Sequence, residues 1–543
     1  WSNGSLDGGS LHLTNWQPIH DGEVLPFAEM KFDASVDRLQ FHSLQLGKTR
    51  VQGTQADQLV NITDLQSELF HGGMAAKFTW DLKSNQLSAP QLALANWQLD
   101  LQALPVLPLP LPQITVEKVS LENVSVIDLS RHFALNQANG TIEQLTWQPG
   151  QWPTFEYQGK LGEFTDGLFQ LAEMQGEGRL RQQDWRLELK GSAYAGEFNV
   201  ELEGNRQPAT LTVHELQLNN MQPELRPGWR EWLAQQPFQQ IDLRRLDVSH
   251  LSLISFDDNV PLTLKWLDLF LTDLRWTPQG WQSSNHKARL EGSWLELVWQ
   301  TLVSRKAEFQ AEMADNAIKL EQFTAQLEES ALNISGQWGL NADIPHQLKL
   351  SLQKFDLEQF SDMLGPRYPF AGKADLTLNL QAKGQDWSNI KSSLQGTATL
   401  DVLDLFVDGL KLDAYLDEQL TPKAPPSQDF EQLIGKLRGG DSAFNHTRIQ
   451  LQADKGVLNF NGSAFESITH LIALKQGFDL NKNSWQLQLG LLNDHYQPEL
   501  LGSLSGALTA PKLQFRLPAA NAASWNTQPI HYPPQGKAGA LRE

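Results

Sequence analysis

Residues 370–384 read Phe370-Ala-Gly-Lys-Ala-Asp-Leu-Thr-Leu-Asn-Leu-Gln-Ala-Lys-Gly384, and apolar and polar side chains alternate through the centre of this stretch. Because the side chains of a β-strand point alternately to its two faces, the pattern predicts a strand with one apolar and one polar face. The same alternation returns in residues 448–462 and 504–515. Such strands are typical of an antiparallel sheet with a single covered face. What covers the apolar face is therefore the functional question.

Similar strand patterns, separated by turn signals such as Asp454-Lys-Gly456, run along the whole chain. They amount to roughly 25–30 strands, whereas open twisted sheets rarely exceed ~10 strands without curling, splitting or flattening. Helical patterns are too few to cover so much apolar sheet, and exposed apolar area of that size is an aggregation hazard or a binding site. We predict a mostly β fold, a long antiparallel meander curled into an elongated hydrophobic groove, with a few short helices. Stacked β-sandwiches and closed barrels fit the same pattern and remain alternatives.

Prolines and glycines suggest the domain boundaries. The prolines of residues 105–112 lack the N–H that a central strand needs, which indicates a connector. Gly439-Gly440 ends a helical pattern, and the last residues have few aliphatic side chains. The predicted organisation is an N-terminal β region (1–104), a proline-rich connector (105–113), a middle β region (114–345) with a short helix near 223–235, a C-terminal β region (346–518) with a helical insert (404–438), and a mobile tail (519–543).

Charge and composition exclude several classes of function. The formal net charge is −20, from 63 acidic and 43 basic residues, which disfavours binding to nucleic acid or to anionic headgroups through a basic patch. The chain has no cysteine, which excludes thiol catalysis, Fe–S clusters and disulfides. No apolar run reaches the ~20 residues that cross a bilayer. The sequence opens at Trp1 without a signal peptide, and we expect that an N-terminal piece has been removed.

Motifs that carry catalysis or metal binding are missing from the sequence. Gly502-Ser-Leu-Ser-Gly506 has leucine where a nucleophile elbow needs serine, and no His-Glu-x-x-His pair occurs. We therefore expect neither an enzyme nor a cofactor or metal site. A tryptophan cluster is interpreted as packing, with a sugar- or lipid-contact surface as the alternative; it comprises Trp266, Trp276, Trp281, Trp294 and Trp299.

Several short motifs follow one another in a fixed order. They are residues 372–384, Leu394-Gln-Gly-Thr-Ala-Thr-Leu400, Asp429-Phe-Glu-Gln-Leu433 with Gly456-Val-Leu458, and Leu504-Ser-Gly-Ala-Leu-Thr-Ala-Pro-Lys-Leu513. In this order they resemble the AsmA family of bacterial envelope proteins. Residues 267–276 and 336–338 resemble its YicH-type branch more loosely, and together the matches cover about half of the chain.

The resemblance implies a periplasmic protein of a Gram-negative bacterium, anchored to the inner membrane and carrying a long β-groove. The resemblance also implies that the protein belongs, with TamB, to the bridge-like lipid transfer proteins. The roles implied are phospholipid transport and outer-membrane biogenesis. Implied partners are a phospholipid or other envelope lipid, the inner membrane through an N-terminal helix that this sequence does not show, and an outer-membrane or periplasmic protein. The family offers no catalytic motif to carry over.

If a groove exists, alternating apolar residues line its interior. The candidates for lipid contact are Leu376, Leu378, Leu380, Ile449, Leu451, Leu487 and Leu489. In a stacked sandwich the same residues would form a packed core, and the protein would be an envelope scaffold or a chaperone for outer-membrane proteins. A carbohydrate-binding β-protein that uses the tryptophan cluster is a third alternative.

Overall fold

Strands dominate the protein, which confirms the predicted mostly β fold. The computed structural model describes residues 4–14, 29–41, 44–102, 111–166, 169–225, 238–255, 261–299, 302–358, 370–420, 428–429, 435–445, 447–507, 510–519 and 522–525. It divides into two compact units, of which unit 1 comprises residues 1–261 with 266–284, and unit 2 comprises residues 262–265 with 285–543.

The strands of unit 1 are β1 (Gly4–Asp7), β2 (Ser10–Thr14), β3 (Glu29–Val36), β4 (Arg38–Phe41), β5 (Leu44–Ala56), β6 (Leu59–Leu69), β7 (Gly72–Asp81), β8 (Gln86–Ala95), β9 (Gln98–Asp100), β10 (Gln113–Asp128), β11 (Phe133–Trp147), β12 (Thr154–Asp166), β13 (Phe169–Leu180), β14 (Asp184–Ala193), β15 (Gly196–Arg206), β16 (Ala209–Asn219), β17 (Glu224–Leu225), β18 (Gln240–Ser255), β19 (Leu262–Thr277), whose first four residues fall in unit 2, and β20 (Gly280–Ser283). A 3₁₀ turn at Leu129–Arg131 joins β10 to β11.

Most strands of unit 1 pair with their neighbours in sequence and run antiparallel, as predicted, from β5 to β8 and again from β10 to β16. At two steps from one strand to the next in the sheet, the pairing is parallel instead. Strand β10 pairs in parallel with β8 and β9, and β18 pairs in parallel with β16 and β17. Alternation of side chains does not distinguish parallel from antiparallel neighbours, so the sequence could not show these steps. The predicted connector 105–113 and the predicted helix near 223–235 fall at these two steps and lie mostly outside the described residues, although Glu224–Leu225 is strand.

The same backbone corner precedes each parallel step. At the first corner Asn96 has φ +58° and its N–H donates to the Glu122 carbonyl at 2.8 Å. At the second corner Asn220 has φ +55° and its N–H donates to the Ser249 carbonyl at 2.9 Å. Asparagine tolerates this left-handed conformation better than most residues. A glycine faces each corner, since a Cβ on Gly72 or Gly196 would come within 2.3 Å of a backbone carbonyl oxygen.

The strands of unit 2 are β21 (Lys287–Trp299), β22 (Leu302–Ala314), β23 (Ala317–Leu327), β24 (Ser330–Gly339), β25 (His346–Asp356), β26 (Phe370–Ala382), β27 (Gln395–Leu410), β28 (Gln428–Asp429), β29 (Arg438–Ala443), β30 (Thr447–Asp454), β31 (Val457–Glu466), β32 (Leu471–Asp479), β33 (Ser484–Leu492), β34 (Pro498–Ala507) and β35 (Ala510–Arg516). Two helices of unit 2 lie wholly within the described residues, α1 (Trp387–Ser393) and α2 (Leu412–Gln419), and residues 357–358 and 435–437 are also helical.

Unit 2 is an antiparallel meander from β21 to β27, and β30 continues it to β35. Helix α1 links β26 to β27, and its N-terminus is capped by the Asp386 carboxylate, which accepts from the Asn389 N–H at 2.9 Å.

The predicted helical insert 404–438 is wrong at its start. Residues 404–410 continue β27, and Phe406 and Val407 pair with Ala443 and Ser442 of β29. This pairing overrides the helical spacing of the apolar residues there, so that helix α2 is confined to eight residues.

Part of the predicted tail 519–543 contacts the sheet. The Trp525 N–H donates to the Tyr496 carbonyl at 2.8 Å, and the Lys475 ammonium lies 4.2 Å from the centre of the Trp525 ring. A Cβ on Gly490 would come within 3.0 Å of this ring, so glycine leaves room for the indole. Residues 526–543 lie outside the described residues. Within the described ranges, no helix is both long and apolar enough to cross a bilayer.

Candidate functional site

Cross-strand register builds a continuous apolar face in unit 2. Leu376 of β26 lies opposite Leu352 of β25 and Leu400 of β27, and Leu400 lies opposite Ile449 of β30. Directly opposed residues point to the same face of a sheet, so these four side chains form a row across four strands.

Two further rows run parallel to the first. Leu378 joins the row Leu350, Leu378, Ala398, Leu451 and Phe460. Leu380 joins the row Leu348, Leu380, Gly396, Ala453, Leu458, Phe478 and Trp485. Leu487 and Leu489 follow Trp485 at intervals of two residues and therefore share its face. The structure thus places all seven predicted residues on one face; their contact with lipid stays a prediction.

This face is open over β25, β26, β27 and β30. Leu376, Leu378, Leu380, Ile449 and Leu451 are only half-buried. The side chains between them on β26, for example Thr377 and Asn379, are exposed on the polar face. Leucines of a packed core are usually almost fully buried. Apart from Ala453, no residue of these rows on the four strands is buried to the depth of a protein interior, and the face retains free apolar surface.

The C-terminal end of the same face is closed. Tyr415 and Leu416 of α2 are 2% and 8% exposed and pack on β32–β34; the buried partners are Ile472, Leu491 and Leu500. Leu487 on β33 is also buried, whereas Leu489 is half-buried.

Polar contacts fix α2 over the sheet. Ser467 donates its hydroxyl to the Asp413 carboxylate, and a ring nitrogen of His470 lies 3.1 Å from the Asp417 carboxylate. The Leu412 N–H donates to the Ser442 hydroxyl at 2.9 Å. The helix is therefore tied to β29 and to the turn between β31 and β32, so α2 is a fixed part of this end.

One long edge of the open face is also closed. Leu357, Ala374 and Val402 are 6%, 2% and 2% exposed and form a small core. Half-buried side chains surround it, and these are Phe355, Phe370, Leu400 and Leu405. The rows thus end in packed protein along this edge and under α2.

Sequence reasoning missed half or more of the residues in each row. Leu348, Leu350 and Leu352 face Leu380, Leu378 and Leu376, yet they were not among the candidates. Their alternation in residues 348–352 is as clear as that of residues 376–380. What the sequence lacks is the pairing partner, because alternation shows the face of a strand and not its neighbour.

The polar face of unit 2 is different in chemistry. The Arg448 guanidinium of β30 pairs with the Asp401 carboxylate of β27 across the strands. Lys265 and Arg305 both contact Glu296, and the hydrogen bond from Lys265 is the main reason why the pKa of this carboxyl lies below its usual range. Charge is therefore concentrated on one face of unit 2 and apolar surface on the other.

The tryptophan cluster separates into two groups. Trp294 packs against Phe309 and Phe323, with ring centroids 5.8 and 5.7 Å apart, in agreement with the packing interpretation. Trp266, Trp281 and Trp299 are about half exposed, and Trp266 meets the His250 ring edge-to-face at 6.0 Å between centroids. The described residues form no group of three His, Asp or Glu side chains that could hold a metal.

One hydroxyl in the described part of unit 1 is buried without a hydrogen-bond partner. Tyr157 of β12 lies opposite Ile142 and Gly178, and its phenol oxygen has no hydrogen-bond partner among the described residues. Burial raises the pKa of the Tyr157 phenol above 10.0. An unpaired buried hydroxyl destabilises the fold.

We expect Tyr157→Phe to stabilise unit 1 by about 1 kcal/mol in urea unfolding, because the unpaired group is removed and the ring is kept. The pKa of the Tyr157 phenol is higher in the folded than in the unfolded protein. The stability that the protonated phenol contributes is therefore fully present below the unfolded pKa and is lost as pH rises through the folded pKa. The wild type should therefore lose more stability than Tyr157→Phe above pH 10. Equal pH profiles, or a less stable variant, would show that the hydroxyl has a partner.

Comparison with known families adds one match. Residues 297–462 match the model of the AsmA family, whereas no curated protein and no solved structure matches the chain. The matched span runs from β21 into β31 and contains the open rows, with five of the seven candidate residues. Leu487, Leu489 and the motifs at 267–276 and 504–513 lie outside it. The chain therefore carries an AsmA-family segment at residues 297–462, and the open apolar face lies within it.

Proposed function

We propose that the protein is a lipid-binding and lipid-transfer protein of the AsmA type, which shields phospholipid acyl chains on the apolar face of unit 2 and supports outer-membrane biogenesis. The observation that carries this proposal is the set of half-buried leucine rows on β25, β26, β27 and β30. Apolar rows without a second protein layer call for an apolar occupant.

The dimensions of the open face suit an acyl chain. The row from Leu350 through Leu378 and Ala398 to Leu451 crosses the four open strands. Neighbouring strands are ~4.8 Å apart, which gives the open row a length of ~14 Å. The hydrocarbon core of a bilayer is ~30 Å thick and contains two leaflets, so one tail spans ~15 Å. An acyl chain is therefore about as long as one open row.

Family membership supports the setting of this function. As part of the proposal, the protein works in the periplasm of a Gram-negative bacterium and is anchored to the inner membrane. Its lipid cargo is a phospholipid, and its route ends at the outer membrane, where a protein partner receives it. No chemical step is required, since moving a lipid along an apolar surface breaks no covalent bond.

A structural or interaction protein is the second candidate. The C-terminal end favours it, because α2 covers one face of β32–β34 and Trp525 contacts the other. A scaffold or a chaperone for outer-membrane proteins would use such filled, rigid ends to bind a partner. It would need no lipid on the open rows.

Native mass spectrometry of the purified chain distinguishes the two candidates. We expect a phospholipid to remain bound in the gas phase and to appear after solvent extraction of the same sample. Delipidated protein should recover the added mass when it is mixed with phospholipid. Protein that is free of lipid in both states would contradict the proposed function and favour the scaffold.

A further inference from the structure

An exposed apolar patch borders the open face along its other edge. We define the rim patch as Ile318, Trp338, Leu340, Leu348 and Trp387, which are 36%, 54%, 38%, 38% and 71% exposed. They lie at the same ends of their strands, where β23 and β25 begin, β24 ends and α1 starts. Five large apolar side chains this exposed at one edge are unusual for a soluble surface.

The rim patch is built on a fixed backbone. Trp338 lies opposite Ile318 and stacks on His346, with ring centroids 4.0 Å apart. His346 is buried; its Nδ1 accepts from the Gly339 N–H at 3.2 Å, so its Nε2 donates to the Gly384 carbonyl at 2.7 Å. Gly384 precedes Trp387 by three residues. The buried imidazole thus ties β24, β25 and the turn before α1 together beneath the patch.

The rim patch is continuous with the candidate lipid rows. Leu348 belongs to the patch and also lies opposite Leu380 in the third row. The opposite edge of the same rows ends in the packed core of Leu357, Ala374 and Val402. One edge of the rows is therefore packed against protein. At the other edge, the rim patch, the described residues leave apolar surface free.

The charge around the rim patch is close to balanced, in contrast to the net charge of −20 for the whole chain. The turns and the helix that form this edge carry three acidic and two basic residues, namely Asp315, Asp343 and Asp386 with Lys383 and Lys391, and Lys319 of β23 is paired with Glu321. An edge with so little net charge neither requires nor strongly repels anionic headgroups. It suits a zwitterionic lipid surface, where tryptophan rings settle at headgroup level.

We propose that the rim patch docks on the surface of a zwitterionic phospholipid bilayer and is the edge over which acyl chains reach the open rows. This inference rests on the proposed function, because an acyl chain that leaves a bilayer crosses water unless the apolar rows meet the membrane directly. Trp338 and Trp387 rest among the headgroups, and Leu348 leads from the bilayer to Leu380. The patch is thus a site of lateral access.

Flotation of the full chain with phosphatidylcholine vesicles tests the proposal. We expect the wild type to float with the vesicles and Trp338→Gln/Leu348→Gln to bind them at least tenfold more weakly, since two apolar anchors are lost. The matched control, Trp281→Gln/Ile468→Gln, changes a tryptophan and an aliphatic residue that are at least as exposed but lie elsewhere. It should float as the wild type does.

A single substitution covers the case in which the double variant does not fold. Leu340→Gln changes a turn side chain and keeps the backbone bond from Leu340 to Asn316, and it should weaken vesicle binding about threefold. Unchanged flotation of folded variants, or a wild type that does not float, would overturn the rim proposal. Lipid retention in native mass spectrometry is measured on the same samples. A variant that fails to float yet binds detergent-solubilised phospholipid supports the rim proposal, whereas absence of lipid in every sample contradicts the proposed function itself.

Discussion

Leu378→Asp is expected to remove bound lipid from the protein and leave it folded. The side chain lies at the centre of the open rows, with Leu350 and Ala398 on the neighbouring strands. A carboxylate there must lose its water when an acyl chain covers it, which costs several kcal/mol, and each 1.4 kcal/mol is a factor of ten in affinity. In the lipid-free protein the same carboxylate keeps its water, because the position is only half-buried. We therefore expect lipid content to fall more than tenfold, as counted by native mass spectrometry.

Thr377→Asp is the matched control for this experiment. It places the same charge on the same strand one residue away, on the exposed polar face. Its lipid content and its thermal unfolding should match those of the wild type. If Leu378→Asp unfolds the delipidated chain whereas Thr377→Asp does not, Leu378 is part of a packed core. That result would favour the scaffold as the function.

Leu500→Ala is expected to have the largest effect on stability. Leu500 is 2% exposed and packs with Tyr415, Ile472 and Leu491. Truncation of a fully packed leucine leaves a cavity and costs ~2–5 kcal/mol. We expect the free energy of unfolding of the C-terminal strands to fall by about 3 kcal/mol. The measurement is urea unfolding, monitored by hydrogen exchange of residues 471–516.

Leu376→Ala provides the comparison within the same unit. Leu376 is half-buried, so its truncation removes less contact and should cost about 1 kcal/mol in lipid-free protein. With phospholipid bound the cost should rise, because a ligand that binds the folded state adds to its stability and the variant binds it less well. Equal costs for the two leucines without lipid would mean that the open rows are packed as tightly as the end under α2.

Much of the candidate site follows from alternation alone. Leu376, Leu378 and Leu380 are spaced by two residues, and this spacing fixes their common face whatever the neighbouring strands are. Strand existence is likewise a local property of residues 370–384 and 448–462. The predicted mostly β fold needed no more than this.

Pairing and irregularity were beyond such reasoning. On β23, Leu320 lies opposite Gly336 and Phe323 lies opposite Ile334. Strict alternation would place Leu320 and Phe323 on opposite faces, and they share one face because the register shifts between them. The parallel pairing of β10 with β8 depends on contacts between residues 27 positions apart. The cover of Leu500 by Tyr415 likewise brings together segments that are distant in sequence.

The division into open and closed parts could not be predicted either. Leu487 and Leu378 have the same residue type and the same alternating context, yet one is buried and the other half-buried. Leu487 lies four residues before Leu491, which packs under helix α2, and the position of this helix is set by contacts of Asp413 and Asp417 with a turn over 50 residues away.

The recurring corner at Asn96 and Asn220 has a consequence for how such chains change over evolutionary time. Because the two corners are 124 residues apart and present the same backbone donors, another copy of the intervening segment would find a matching hydrogen-bonding edge on either side. Duplication or deletion within the gene could then add or remove strands of the sheet in whole copies of this segment, without any new interface having to arise.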